Sequence, residues 1–320
     1  VQILRHPMPK EARGPLGYLV EYSAALFWEL WLSLRVRRKR RIDVIHGCNP
    51  PDLIFIVALV HRVLLGTRYV FDHHDISPEL YEAKFGRRGL PWRLLVFVER
   101  LSYGTAAHAI VTNESYREIA VTRGGKDPDE VTIVRSGPDL SRLVMSEPTE
   151  ARRHGRRHLV AYVGVMGKQE GIEYALEAAR ILTRDRGRAD VHFSFVGSGP
   201  ELGHLRELTT TMGLDDVVDF TGRVPDEDLL EVLNTADVCI NPDEFNPMND
   251  KSTMNKIVEY MALGKPIVQF DLHEGRVSAL DASLYAAPND AADFAAKIEE
   301  LLDDPEGRAE MGAFGRRRVE

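Results

Sequence analysis

Short apolar runs that end in polar residues alternate, along most of the chain, with longer segments of helical period. Residues 42–46 (IDVIH), 69–72 (YVFD), 109–112 (AIVT) and 131–134 (VTIV) predict strands, and residues 52–65 and 92–106 predict the helices between them. The alternation breaks at residues 136–158, where Pro138, Pro148 and the charge-dense ARRHGRRH predict a linker. It then restarts. Strands are predicted at 159–164, 192–196, 218–220, 238–241 and 266–270, and helices at 171–183, 200–212, 226–235, 252–263 and 290–302. In the helix at 171–183, Ile172, Ala175, Leu176, Ala179 and Leu182 recur at the spacing of one buried face. Strand–helix alternation of this kind predicts parallel sheets covered by helices, twice over. Two such α/β domains, doubly wound and Rossmann-like, imply a cleft between them.

The length of 320 residues agrees with two cores rather than one. A net charge of −8 argues against a nucleic-acid partner, which calls for a basic surface. Cys48 and Cys239 both sit in apolar, strand-like runs and read as buried thiols of a reducing compartment, so the chain is placed in the cytoplasm. The longest apolar stretch, Leu16–Leu34, is interrupted by Glu21 and Glu29 and falls short of a membrane span. Leu19, Tyr22, Ala25, Leu26 and Trp28 give it a helical spacing. It leads into Arg35–Arg41 (RVRRKRR), six positive charges in seven residues. Either the arginines are a solvated helix end, or Trp28, Trp31 and Arg35–Arg41 form a peripheral contact with an anionic membrane face.

In a parallel α/β sheet, ligands bind at the carboxyl ends of the strands. His46, Asn49, His73, His74, Asp75, Asn113 and Glu114 all fall there in the first half. In the second half, Gly164 and Gly197 follow strands where a backbone approaches a phosphate, and Gly222-Arg223-Val224 follows another strand where a loop pairs with a nucleobase edge. The densest candidate is residues 249–268. Ser252 or Thr253 reads as the N-cap of a helix whose first-turn amides (Met254, Asn255, Lys256) favour a diphosphate. Glu259, one to two turns in and flanked by Ile257, Val258, Tyr260, Met261 and Leu263, is a carboxylate in a largely buried helix and wants a partner such as two ribose hydroxyls.

These motifs, in this order and spacing, make the chain resemble the retaining glycosyltransferases of family 4, which have the GT-B fold. The resemblance rests on YVGVMGKQEGIEYALEAA, FVGSGPE, VVDFTGRVP, LNTADVCINP, KIVEYMALGKPIV and LYAAPNDAADFAAKIEELLDDPEGRAEMG, with DVIHGCNPPDL, YVFDHHDISPELY, VTNESYR and VRSGPD before them. It implies an N-terminal acceptor-side domain over 1–145, whose first strand and glycine-rich loop would precede Val1. It further implies a nucleotide-sugar domain over 146–305 and a C-terminal helix at 306–320 packing back toward the first domain. By resemblance, Glu259 holds the ribose as the second glutamate of an E-x7-E motif, and His74-Asp75 lies near the donor sugar and the acceptor.

Two positions depart from that pattern. Lys251 stands where the first glutamate would contact the sugar, which leaves Asp243, Glu244, Asp250 or Lys251 itself to do so. Val165 and Glu170 stand where an Arg and a Lys would clamp the diphosphate; Lys168 is the foremost substitute, with Arg135 and Lys256 behind it. The implied reaction is transfer of a hexosyl or N-acetylhexosaminyl group, with retention, from a nucleoside diphosphate sugar (a UDP-sugar favoured) to a glycan or lipid-linked acceptor in surface polysaccharide synthesis. Closure of the domains would assemble the site. No metal or other cofactor is expected, since Asp226 and Asp228 open a helix rather than end a strand. A catalytically silent nucleotide-sugar-binding subunit and a sugar-nucleotide epimerase of the same fold stay open as alternatives.

Overall fold

The computed structural model describes residues 2–7 and 14–320, with backbone alone for residues 14–16, 18 and 19. The predicted contributions of Leu16 and Leu19 to the first helix therefore lie outside the described side chains. The chain forms two compact units, Val1–Arg135 and Ser136–Glu320.

The first unit runs α1 (Gly14–Arg37), β1 (Val44–Cys48), α2 (Phe55–Leu65), β2 (Arg68–His73), α3 (Ser77–Phe85), α4 (Leu90–Thr105), β3 (His108–Val111), α5 (Glu114–Glu118) and β4 (Val131–Ile133). Its four strands pair in parallel in the order β1-β2-β3-β4. Tyr69, Phe71 and His73 alternate inward along β2. Cys48 is exposed at the end of β1, not buried as its apolar neighbours suggest. The helix ends at Arg37, so only Arg35 and Arg37 of the basic run are helical. Arg35 lies over the Trp31 ring at 5.3 Å, and Trp31 meets Trp28 edge to face. Among the described residues, no helix is long and apolar enough to cross a membrane.

The second unit runs β5 (His158–Val163), α6 (Ile172–Arg180), β6 (Val191–Val196), α7 (Leu202–Thr211), β7 (Val218–Gly222), α8 (Asp226–Thr235), β8 (Val238–Asn241), α9 (Asn255–Ala262), β9 (Ile267–Phe270), α10 (His273–Ala279), β10 (Ser283–Ala286), α11 (Ala291–Asp303) and α12 (Pro305–Val319). The order β10-β9-β8-β5-β6-β7 is wholly parallel. Strand order reverses at β5, which makes the carboxyl ends of β5 and β8 the topological switch point, where ligands of open α/β sheets bind. Apolar side chains fill both faces of the sheet, Phe193, Phe195 and Phe294 in one cluster and Leu159, Ala161 and Tyr260 in the other.

The predicted linker is part of this unit. Leu143 is buried in its core, Asn234 bonds the backbone of Val144 and Ser146, Arg152 pairs with Asp228 and Glu231, and Arg153 pairs with Asp237. The division therefore falls at Arg135/Ser136, ten residues before the sequence boundary at 145. Strand β10 and helices α3, α5 and α10 go unpredicted because each is short or lacks a clear apolar stripe. Helix α12 lies on α9 of its own unit: Gly312 and Gly315 leave room for Gly264 and Met261, and Arg316 donates to the Ala262 carbonyl.

Candidate active site

In the first unit, the loop after β2 carries the predicted His74 and Asp75, and Asn49 holds it. Asn49 is buried; its Oδ1 accepts from the amides of His74 (2.9 Å) and Asp75 (3.3 Å). Its Nδ2 donates to the Asp75 carbonyl (2.7 Å) and to Asp52 Oδ1 (3.0 Å). His74 is left half-exposed, its Nε2 3.0 Å from Asp72 Oδ1. Burial, with Asp52 adding, pushes the Asp75 carboxyl up, while His74 opposes. Asn49→Ala strips acceptors from two amides, so we expect a loss of about 1–3 kcal/mol in thermal unfolding and a lower kcat. Asn49→Asp keeps the acceptor but sets a carboxylate oxygen against Asp52 and the Asp75 carbonyl, so it should do no better than alanine; an unchanged Tm and kcat for Asn49→Ala would deny the clamp.

His73 and His74 part company because strand alternation turns one inward. His73 is buried, its Nδ1 hydrogen-bonded with the Tyr103 hydroxyl at 2.6 Å and its Nε2 3.6 Å from Glu99. Arg123 binds Glu99 and Glu79 beside it. Burial, with Arg123 adding, holds His73 down to about 3, and burial pushes Glu99 up to about 7. In the unfolded chain the imidazole takes its proton near 6.5, so between there and about 3 the unfolded state binds more protons, and the histidine's contribution to stability falls as pH is lowered. Glu99 runs the opposite way from about 7 down to its usual 4.5. The difference between wild type and His73→Gln therefore isolates the histidine. The variant should lose less Tm than wild type on acidification from pH 6.5, and parallel Tm–pH curves would rule this out.

In the second unit, glycines meet across the ends of β5, β6 and β7. The Gly164 amide donates to the Val196 carbonyl and the Gly197 amide to the Gly222 carbonyl, both at 3.0 Å. Gly197 has φ +136°, and a methyl group there would run into the Gly164 carbonyl. Only glycine suits this backbone-to-backbone approach. Arg223 is exposed just beyond it, and Val224 packs on the core under α9.

Helix α9 is tied to this end of the sheet through Tyr260, whose buried hydroxyl accepts from the Val163 amide (2.9 Å) and donates to the Ile240 carbonyl (3.3 Å). Glu259, adjacent in sequence, keeps 28% of its side-chain surface exposed, with Arg142 Nη1 at 3.9 Å. Burial raises its carboxyl pKa, and Arg142 opposes. Arg142 also grips Asp226 with two hydrogen bonds of 2.7 and 3.1 Å. Arg142 was not among the predicted site residues, since nothing local marks a linker arginine that meets α8 and α9.

Several expectations change here. The helix starts at Asn255 with Met254 as N-cap; Ser252 Oγ instead donates to the Met248 carbonyl at 2.8 Å, and Thr253 lies ahead of the helix. That shift follows from the loop before it. The Asn246 side chain accepts from the Met248 and Asn249 amides, and Asn249 Nδ2 bonds the carbonyls of Gln169 and Glu244. Lys256 is not available as a phosphate clamp. Its Nζ is buried against Glu170 Oε2 (2.7 Å) and Asp243 Oδ1 (2.8 Å), over the Tyr162 ring at 4.9 Å. Burial pushes Asp243 up to about 7; burial also raises Glu170, but there Lys256 and the hydrogen bonds of Asp243 and Tyr162 together outweigh it and hold that carboxyl below its usual range.

Of the residues weighed for sugar contact, Asp243 is thus buried and Asp250 caps α10 through the His273 amide (2.9 Å). Lys168 sits on an exposed turn and, with Glu173, Tyr174, Glu244 and Asn289, lines a hollow of about 430 Å³. Lys251 is half-buried at the end of the turn 249–251, and Arg135 is exposed at the end of the first unit.

The family profile "Glycosyl transferases group 1" matches residues 157–304, and "Glycosyl transferase 4-like domain" matches residues 1–137. The chain is 25% identical over 316 residues to 2-deoxystreptamine glucosyltransferase of Streptomyces kanamyceticus, covering 95% of this chain and 80% of that protein. Its fold is similar to that of sucrose-phosphate synthase from Thermosynechococcus elongatus, with a TM-score of 0.76 at 20% identity, over 96% of this chain and 76% of that one. Anabaena HepE, solved in complex with UDP and glucose, gives a TM-score of 0.72 at 17% identity, over 96% and 78%.

Proposed function

We propose, from the premise that this chain is a glycosyltransferase of GT-B architecture acting on a nucleotide-sugar donor, that it belongs with the retaining enzymes of family 4. Its donor is a UDP-sugar, and its acceptor a glycan or lipid-linked sugar of a surface polysaccharide. The observation that carries this reading is Glu259, a half-buried carboxylate on a helix anchored at the switch point of the second sheet. It accepts the two ribose hydroxyls. The glycine-lined ends of β5 and β6 take the diphosphate backbone to backbone, and Gly222, Arg223 and Val224 meet the base.

The leaving group is a diphosphate, so catalysis consists in stabilising its developing charge with preorganised donors. Lys168, the first turn of α9 and Arg135 supply that charge without a metal or other cofactor. Lys256 acts indirectly, by neutralising Glu170 and Asp243 beneath the loop. His74 and Asp75 face the sugar and the acceptor, and Lys251 contacts the sugar in place of the first glutamate. Cytoplasmic nucleotide sugars are the donor pool, and Trp28, Trp31 and Arg35–Arg41 bring the enzyme to the membrane face that carries a lipid-linked acceptor.

A thermal-shift series with UDP, GDP and ADP and their glucose derivatives tests the reading. At 100 times Kd a ligand adds about 2.7 kcal/mol of stability. UDP and UDP-glucose should raise Tm the most. A larger rise with GDP or ADP overturns the UDP assignment, and no rise with any of them overturns the donor site.

A further inference from the structure

One face of the β1–β2 pair gathers four donors of the kind that soft divalent cations take. Alternation puts His46 and Cys48 on the same face of β1, and Asp72 on that face of β2 with His74 two residues on. Register does the rest: Cys48 and Asp72 are direct Cα partners across the ladder. The opposite face of β2 carries Tyr69, Phe71 and His73 into the core, so these four side chains are the ones left outside it.

The Asp72 carboxylate bridges the two imidazoles, with Oδ2 2.8 Å from His46 Nε2 and Oδ1 3.0 Å from His74 Nε2. One ligand atom each from Cys48, Asp72 and His74 lie within 4.8 Å of one another. His46 and His74 are about half exposed and Cys48 is exposed, so an ion reaches them from solvent.

We propose that His46, Cys48, Asp72 and His74 form a zinc site. Two nitrogens, a sulfur and one carboxylate oxygen suit a tetrahedral zinc ion and match neither magnesium nor calcium, which take oxygen shells. With bonds of roughly 2.0–2.3 Å, tetrahedral ligand atoms sit roughly 3.5 Å apart. The His74–Asp72 contact needs to open by less than an ångström to admit the ion between Cys48, Asp72 and His74, and His46, now on the other Asp72 oxygen, closes in as the fourth ligand. Binding displaces the Cys48 proton, since zinc takes the thiolate. The ion also takes the Nε2 lone pair of His74, which is then lost to the sugar and the acceptor, so zinc inhibits transfer. This inhibitory half rests on the proposed role of His74; the metal site itself does not.

Titration of the purified chain with Co2+ tests the site. A thiolate-to-cobalt charge-transfer band should grow to one ion per chain and be bleached by Zn2+. Cys48→Ser should abolish the band, His46→Ala should weaken cobalt binding tenfold or more, and Cys239→Ala, which removes the other thiol, should leave the band intact. No band in the wild type, or a band that survives Cys48→Ser, overturns the site. In the activity arm, Zn2+ should inhibit the wild type and spare Cys48→Ser. Zinc bound without inhibition overturns the inhibitory half and the His74 role, while leaving the metal site standing.

Discussion

Lys256→Met will leave Glu170 and Asp243 buried against each other without a cation, and the second unit will lose about 3–5 kcal/mol of stability. For a unit of this size that is a fall in Tm on the order of 10 °C. Methionine keeps most of the stem and is one heavy atom shorter, so the loss reports chiefly the charge rather than a cavity. Tyr162 donates to Glu170 at 3.1 Å but cannot neutralise it. The variant has one remedy, to take up a proton, and both carboxyl pKa values will then rise. A carboxyl whose folded pKa is raised is most stabilising below its unfolded value and loses that contribution as pH rises. The deficit against wild type should therefore grow from pH 5 to pH 8, as urea or thermal melts at each pH will show. Adding Glu170→Gln and Asp243→Asn to Lys256→Met should restore much of the loss. A deficit that does not depend on pH would mean that Lys256 matters by packing alone.

Glu259→Ala will weaken nucleotide binding by on the order of 100-fold, with little effect on the fold. The estimate follows from two hydroxyl hydrogen bonds to one carboxylate, together worth about 3 kcal/mol. Arg142 keeps Asp226 as a bidentate partner when Glu259 is removed, so the local structure has a second support. Calorimetric titration with UDP is the direct measurement, and Glu259→Gln should fall between alanine and wild type. An unchanged Kd for the alanine variant would remove Glu259 from the ribose site and with it the main support for the proposed donor geometry.

Much of the fold was legible in the sequence, and the limits are instructive. Strand β8 and helix α8 lie where the pattern predicts them, at 238–241 and 226–235. The partial burial of Glu259 followed from its apolar neighbours on a short helix. The N-cap was misplaced because Ser252 has a tertiary alternative, the Met248 carbonyl, in a loop pinned by Asn246 and Asn249. Cys48 was misjudged because apolar company along a strand does not tell which side of the sheet is covered. His73 and His74 are equivalent in the sequence; only the packing of Tyr103 and Glu99 against one of them separates a core histidine from a solvent-facing one.

The sequence by itself determined the two α/β units and the alternation of most of their strands and helices, because backbone periodicity and glycine placement are local properties. Tertiary structure alone decided the partners of the charged groups. Lys256 reads in sequence as a free cation at a helix start. It becomes a buried counterion because the fold delivers Glu170, 86 residues away, to within 2.7 Å of it. Arg142 meets Glu259 and Asp226 in the same way. Ion pairs are set by distances of a few ångströms between distant parts of the chain, and no local pattern records those distances.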